Sequence, residues 1–280
     1  MSFPSELEAF RAYAKFFPNA CILLVDTYDT LKSGVPNAIQ VFRELKKAGL
    51  LFKGYGIRLD SGDLAYLSKK ARKMLDDAGF TDAIISASSD LDESLITSLK
   101  LQGAKISLWG VGTKLITSDG CPSFGGVYKL AAESDDGTHF HPKIKLSNNA
   151  GKVTNPGIKK VYRIYDKSTG KIKADLICLD NEVIDESQVL TLSHESYTWK
   201  KMCLDPGSFI VRDLLVPVFE KGQCVYQSPS VMEIQKYCKQ ELNTLWDEHK
   251  RLENPEIVPV DLSDQLYDLK QSLIKQMSMK

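Results

Sequence analysis

The chain has 280 residues, 43% of them hydrophobic and 26% charged, which is ordinary for a globular protein with a sizeable core in one barrel-sized domain or two smaller ones. Lysine plus arginine equals aspartate plus glutamate at 36 each, so no overall field recruits nucleic acid or an anionic membrane, and any polyanion must meet a local site. The longest apolar stretches fall far short of the roughly 20 residues that cross a bilayer and the N-terminus lacks a leader pattern, so the expectation is a cytoplasmic protein with no nucleic-acid or membrane partner.

The first 125 residues repeat one rhythm of apolar run, polar turn and helix-period segment. Residues 20–25 read as a strand; past the polar stretch 26–36, Ala38, Val41, Phe42, Leu45 and Ala48 follow helical spacing, with Pro36 at its start and Gly49 as a stop. Residues 54–59 read as a second strand. Leu64, Leu67, Ala71, Met74, Leu75 and Ala78 make the next amphipathic helix, with Ser61 placed to cap it and Gly79 to close it. Residues 83–87 give a third strand, then a helix with Asp90 and Glu93 in capping-box spacing and Gly103 at its end. Residues 106–109 give a fourth, running into Gly110-Val111-Gly112-Thr113. This alternation implies right-handed βαβ units and a parallel sheet, open or closed into a barrel.

After about residue 125 the rhythm breaks. Residues 126–132, 143–146, 161–165 and 174–179 are short strand candidates between Gly, Asn, Asp and Pro turns, which predicts an antiparallel or mixed region. Ser230 and Glu233 form a capping box for a helix expected to run to about Arg251; Pro255 and Pro259 interrupt before a last helix near the C-terminus. The expected division is 1–125 and 126–280, packing together. Six cysteines (Cys21, Cys121, Cys178, Cys203, Cys224, Cys238) show no Cys-x-x-Cys pair, so no metal site is expected from them. Of His139, His141, His194 and His249, none has a partner at the spacing of a catalytic base.

Every polar signature in the first region follows a strand, where α/β folds bind ligands. Arg58-Leu59-Asp60-Ser61-Gly62-Asp63 is the most informative. Its arginine offers a planar fork for carboxylate or phosphate, and its acids suit ribose hydroxyls or a metal ion. Ser61 and Asp63 suit a helix cap equally well. In Val25-Asp26-Thr27-Tyr28-Asp29-Thr30 two carboxylates follow the first strand; Asp26 is the functional candidate and Asp29 competes with turn chemistry. Ser86-Ala87-Ser88-Ser89-Asp90 ends the third strand with small hydroxyl residues that suit a phosphate. Gly110-Val111-Gly112-Thr113 joins two glycines to a hydroxyl, as phosphate-cradling loops do. Lys129, Lys143, Lys145 and Lys152 read as solvated lysines, although each could reach a phosphate.

These residues together resemble nicotinate phosphoribosyltransferases. The likeness spans the chain: Ser2-Phe3-Pro4-Ser5-Glu6, the run from Leu23 to Thr30, Arg58 to Asp63, Gly110 to Thr113, Gly125 to Leu130, Trp246-Asp247-Glu248, and Val260-Asp261-Leu262-Ser263. The resemblance implies an irregular, TIM-like parallel α/β barrel, incomplete here, with a smaller mixed β/α C-terminal region. It implies synthesis of nicotinate mononucleotide from nicotinate and phosphoribosyl pyrophosphate for NAD salvage, a ligase-classified glycosyl transfer with ATP as co-substrate, Mg²⁺, and a homodimer. By position, Arg58 resembles the arginine that binds the nicotinate carboxylate, with Asp60 beside it. Gly112 and Thr113 match the site for the ribose 5-phosphate, Ser88 and Ser89 the sugar-phosphate region, and Asp26 an acid near ribose or Mg²⁺. Arg58, Asp60 and Asp26 are thus the expected catalytic set, with no metal-ligating residues expected.

Family members are longer, and their N-terminal portion supplies a tyrosine and a Gly-Thr-x-Ala-His segment whose histidine is phosphorylated; no histidine here matches it. The expectation is therefore a C-terminal portion of the enzyme. The alternative is a truncated, non-catalytic module that binds phosphoribosyl compounds or pairs with a full-length subunit. A different phosphosugar enzyme on a parallel barrel is a third reading, which Arg58 disfavours.

Overall fold

In the computed structural model, which describes residues 2–50, 53–123 and 125–279, the chain divides into two units, Met1–Gly125 and Gly126–Lys280. The first begins with α1 (Glu6–Phe16), where the Ser5 hydroxyl accepts the Glu8 amide. β1 (Ile22–Leu24) follows, then α2 (Val35–Lys47), β2 (Gly56–Leu59), α3 (Leu64–Asp77), β3 (Ile84–Ala87), α4 (Glu93–Leu101), β4 (Leu108–Trp109) and the single turn α5 (Thr113–Ile116).

The four strands pair in the order β1-β2-β3-β4, all parallel. Strand periodicity then separates two faces. Leu23, Val25, Ile57, Leu59, Ile85 and Ala87 are buried, sharing a core with Ala38, Val41, Phe42, Ala71 and Leu75 of the crossover helices. Phe42, Tyr55 and Phe80 meet edge to face within that core, at centroid distances of 5.0 to 6.0 Å. The alternate row, read across the register, is Leu24, Arg58, Ser86 and Leu108. An arginine and a serine therefore stand on the face opposite that core.

Two caps differ from expectation. Asp63, not Ser61, caps α3, its carboxylate accepting the Tyr66 amide at 2.9 Å. Asp92, not Asp90, caps α4 by accepting the Leu95 amide, while Ser89 and Asp90 take left-handed φ angles of 96° and 45° that no helix start allows.

The second unit opens with the small ladder of β5 (Ala132–Glu133) and β6 (His141–Pro142). It continues through β7 (Lys159–Asp166), β8 (Ile172–Leu179), β9 (Leu190–Ser193), β10 (Lys201–Leu204) and β11 (Phe209–Asp213). The hairpin of β12 (Phe219–Glu220) and β13 (Gln223–Cys224) precedes α6 (Val231–Thr244), β14 (Val260–Ser263) and α7 (Asp264–Ser278). A six-stranded sheet runs β10-β9-β14-β8-β7-β11, with β14 parallel to β8 and its other pairings antiparallel. Ile172, Ala174, Leu176 and Cys178 alternate inward from β8, and the last three pack with Ile164, Leu192, Leu204 and Phe209. This unit, expected to be the smaller, is the longer of the two.

The strand expected over 126–132 reduces to Ala132–Glu133, and 143–146 carries no strand, its neighbour β6 ending at Pro142. The helix from Ser230 keeps its capping box but stops at Thr244. Beyond it Leu245 is extended and the Trp246 indole N–H donates to the Ile172 carbonyl at 2.8 Å, a tertiary bond that draws the chain off the helix axis.

Candidate active site

Because β1 to β4 are parallel, the segments that leave their carboxyl ends share one edge of the sheet. Those segments are 25–34, 60–63, 88–92 and 110–112, and they carry Asp26, Asp60, Ser88, Ser89 and Gly112, with Thr113 opening α5 directly after the last.

Hydrogen bonds stitch the first three together. Asp26 Oδ2 accepts the Asp60 amide at 2.8 Å and the Ser61 hydroxyl at 2.6 Å. The Ser88 hydroxyl donates to Asp60 Oδ1. Asp60 is thereby held at its backbone from β1 and at its carboxylate from the end of β3. Gly62, at φ +76°, makes the tight turn that brings Asp63 to its capping position. Asp29 serves as a cap, accepting the Leu31 and Lys32 amides at 3.1 and 2.8 Å; the Lys32 amide above all holds its carboxyl below the usual range.

Arg58 is different in kind. It is exposed on β2 and, among the described residues, its guanidinium makes no hydrogen bond or ion pair. It lines a groove of about 750 Å³ together with Thr27, Ser86, Leu24, Tyr13 and Phe17. A charged fork at an aromatic and aliphatic wall suits a planar ring that carries a carboxylate. Tyr13 and Phe17, their rings tilted at a centroid distance of 4.9 Å, are not foreseen from the sequence; the aromatic residues around Pro18 were the available signal.

Ser89 is exposed and backbone-strained, and Gly112 and Thr113 are exposed at the start of α5, with open space beside the Gly112 α-carbon. Backbone can approach a ligand there. The structure joins Asp26, Asp60 and Ser88 through hydrogen bonds and sets Arg58 in register with Ser86; no hydrogen bond among the described residues links Thr113 or Ser89 to the set. No group of three or more His, Cys, Asp or Glu that could hold a metal occurs among the described residues. In the other unit, Lys129 donates to the Lys152 carbonyl at 2.5 Å and Lys143 pairs with Glu133.

The family model described as "Nicotinate phosphoribosyltransferase C-terminal domain" matches residues 158–270. Over 279 residues the chain is 48% identical to a nicotinate phosphoribosyltransferase of Bacillus subtilis (strain 168), covering 100% of this chain and 56% of the relative. It is 40% identical to the Dictyostelium discoideum enzyme of that name, covering 94% of this chain and 46% of the relative. The crystal structure of human nicotinic acid phosphoribosyltransferase superposes with a TM-score of 0.72 at 28% identity, over 97% of this chain and 50% of that one. The chain thus spans about half the length of the curated relatives it matches.

Proposed function

Because the chain belongs to the nicotinate phosphoribosyltransferase family, we propose that it forms part of an enzyme that transfers the phosphoribosyl group of phosphoribosyl pyrophosphate to nicotinate. The pyridine nitrogen bonds to C1 of the ribose, the C1–oxygen bond to pyrophosphate breaks, and nicotinate mononucleotide leaves toward NAD. The carrying observation is Arg58, a guanidinium unpaired among the described residues, on a groove beside aromatic walls and on the strand that leads into Asp60.

In this reading Arg58 takes the nicotinate carboxylate through two parallel charge-assisted bonds, and so orients the ring nitrogen. Asp60, its Oδ1 held by Ser88, faces the ribose as positive charge develops at C1. Gly112 and Thr113 receive the 5-phosphate, and Ser89 lies with the sugar-phosphate region. Mg²⁺ is commonly held through one or two carboxylates plus substrate phosphates, and Asp60 leaves one carboxylate oxygen without a partner among the described residues, so the donor set fits it. When bound, Mg²⁺ neutralises charge on the departing pyrophosphate. ATP is the co-substrate of the proposed activity, and no residue of this chain is assigned to it.

Sequential parallel order in β1 to β4 and the superposition on the human enzyme support an irregular TIM-like barrel to which these strands contribute. A homodimer and a cytoplasmic location belong to the same proposal. Product formation tests it: the chain is assayed with nicotinate, phosphoribosyl pyrophosphate, ATP and Mg²⁺, alone and mixed with the portion of the Bacillus subtilis relative that it does not cover. Nicotinate mononucleotide in either supports the reading. None in both, while the complete relative turns over, overturns it.

A further inference from the structure

We infer that Asp26 is a positioning residue, which acts on the reaction through Asp60 by anchoring the turn between β2 and α3. The inference rests on the role proposed for Asp60. The backbone is already fixed beside Asp26, where the Val25 amide bonds the Arg58 carbonyl at 3.2 Å. From that fixed point a single oxygen, Asp26 Oδ2, gathers the amide of Asp60 and the hydroxyl of Ser61, 34 and 35 residues away in sequence. Hydrogen bonds to an ionised carboxylate are short and about twice as strong as neutral ones. Neither donor has another acceptor among the described residues. The turn is held elsewhere by Asp63, which caps α3, and by Ser88, which reaches the Asp60 carboxylate but not its backbone.

Without the Asp26 carboxylate the Asp60 amide loses its partner and the carboxylate hangs from Ser88 alone. A displacement of about 1 Å at a reacting centre costs on the order of 10²-fold in rate. Asparagine at position 26 keeps an acceptor oxygen for both donors while removing the charge. Alanine removes both.

Wild type, Asp26→Asn and Asp26→Ala are compared by turnover of nicotinate and by hydrogen exchange at the Asp60 and Ser61 amides, with thermal unfolding followed on each. In Asp26→Ala, kcat falls by about 10²-fold, KM for nicotinate moves far less, and the Asp60 amide exchanges faster; Asp26→Asn restores most of kcat and keeps that amide protected. The inference is overturned if Asp26→Asn loses as much kcat as Asp26→Ala with the Asp60 amide still protected, since the charge then acts directly on substrate or Mg²⁺. Unchanged exchange at Asp60 in Asp26→Ala overturns it as well. Absence of turnover in wild type and in the supplemented mixture counts against the proposed function, whereas amide exchange still decides whether Asp26 holds the turn.

Discussion

Gly34 lies hard against the backbone of Val25: a β-carbon on Gly34 would stand 1.8 Å from the Val25 carbonyl oxygen. The wide turn Thr30–Gly34, opened by the Asp29 cap, folds back over the end of β1, and only a residue without a side chain lets it close. The same contact bounds the segment that carries Asp26. Gly34→Ala should therefore destabilise the first unit by about 3 kcal/mol through overpacking, since backbone cannot move aside as a flexible side chain would. Denaturant midpoints at unchanged slope measure this; a loss below about 0.5 kcal/mol would mean that the turn relaxes freely.

Burial separates the cysteines into two classes. Cys21 and Cys178 are buried, and loss of hydration pushes each thiol up to about 11, whereas Cys121, Cys203, Cys224 and Cys238 are exposed. With a disulfide reagent at about pH 8, the native chain should release four equivalents of thiol promptly. The other two should follow on unfolding. Six fast equivalents would contradict the packing of β1 and β8.

Glu241 ties α6 to the six-stranded sheet, accepting from Arg212 at 2.6 and 2.8 Å and from Arg163 at 3.3 Å. Arg212, with Arg163 behind it, holds the Glu241 carboxyl below its usual range. A depressed carboxylate contributes stability that is present above the unfolded value of about 4.3 and lost as pH falls through the folded one. Glu241→Gln should cost about 1–2 kcal/mol near neutrality, discounted for the partial exposure of Arg212, and the gap from wild type should close on acidification below about pH 4. Urea titrations of both chains at several pH values read it. A gap independent of pH would show that the loss comes from packing instead.

How much of this was legible in the sequence depends on the range of the forces involved. Apolar runs and helix-period residues such as Val41, Phe42 and Leu75 revealed the βαβ rhythm, because burial acts on each of them locally. The caps were misplaced where a distant partner intervened: Ser61 is drawn to Asp26, and Asp63 is left to cap α3. At α4 the left-handed angles of Ser89 and Asp90 delay the helix start to Asp92, and nothing in a serine pair foretells them. β9 and β10 escaped notice because four-residue strands such as Leu190–Ser193 carry too few alternations to stand out, their pairing being set by partners across the sheet. In the candidate site, strand-end position exposed Arg58, Asp60 and Ser88 as a set. The hydrogen bonds that join Asp26 to Asp60 and Ser61, and Ser88 to Asp60, span 28 to 35 residues, beyond any local pattern.

Calorimetry of nicotinate and of phosphoribosyl pyrophosphate on wild type and Arg58→Ala, with and without the complementary portion of the Bacillus subtilis relative, decides whether Arg58 holds the nicotinate carboxylate. Arg58→Ala should weaken nicotinate binding by at least about tenfold, the loss of one bidentate charge-assisted pair. Binding of phosphoribosyl pyrophosphate should change less than about threefold. Equal loss of both ligands, or nicotinate binding indifferent to Arg58, would contradict it.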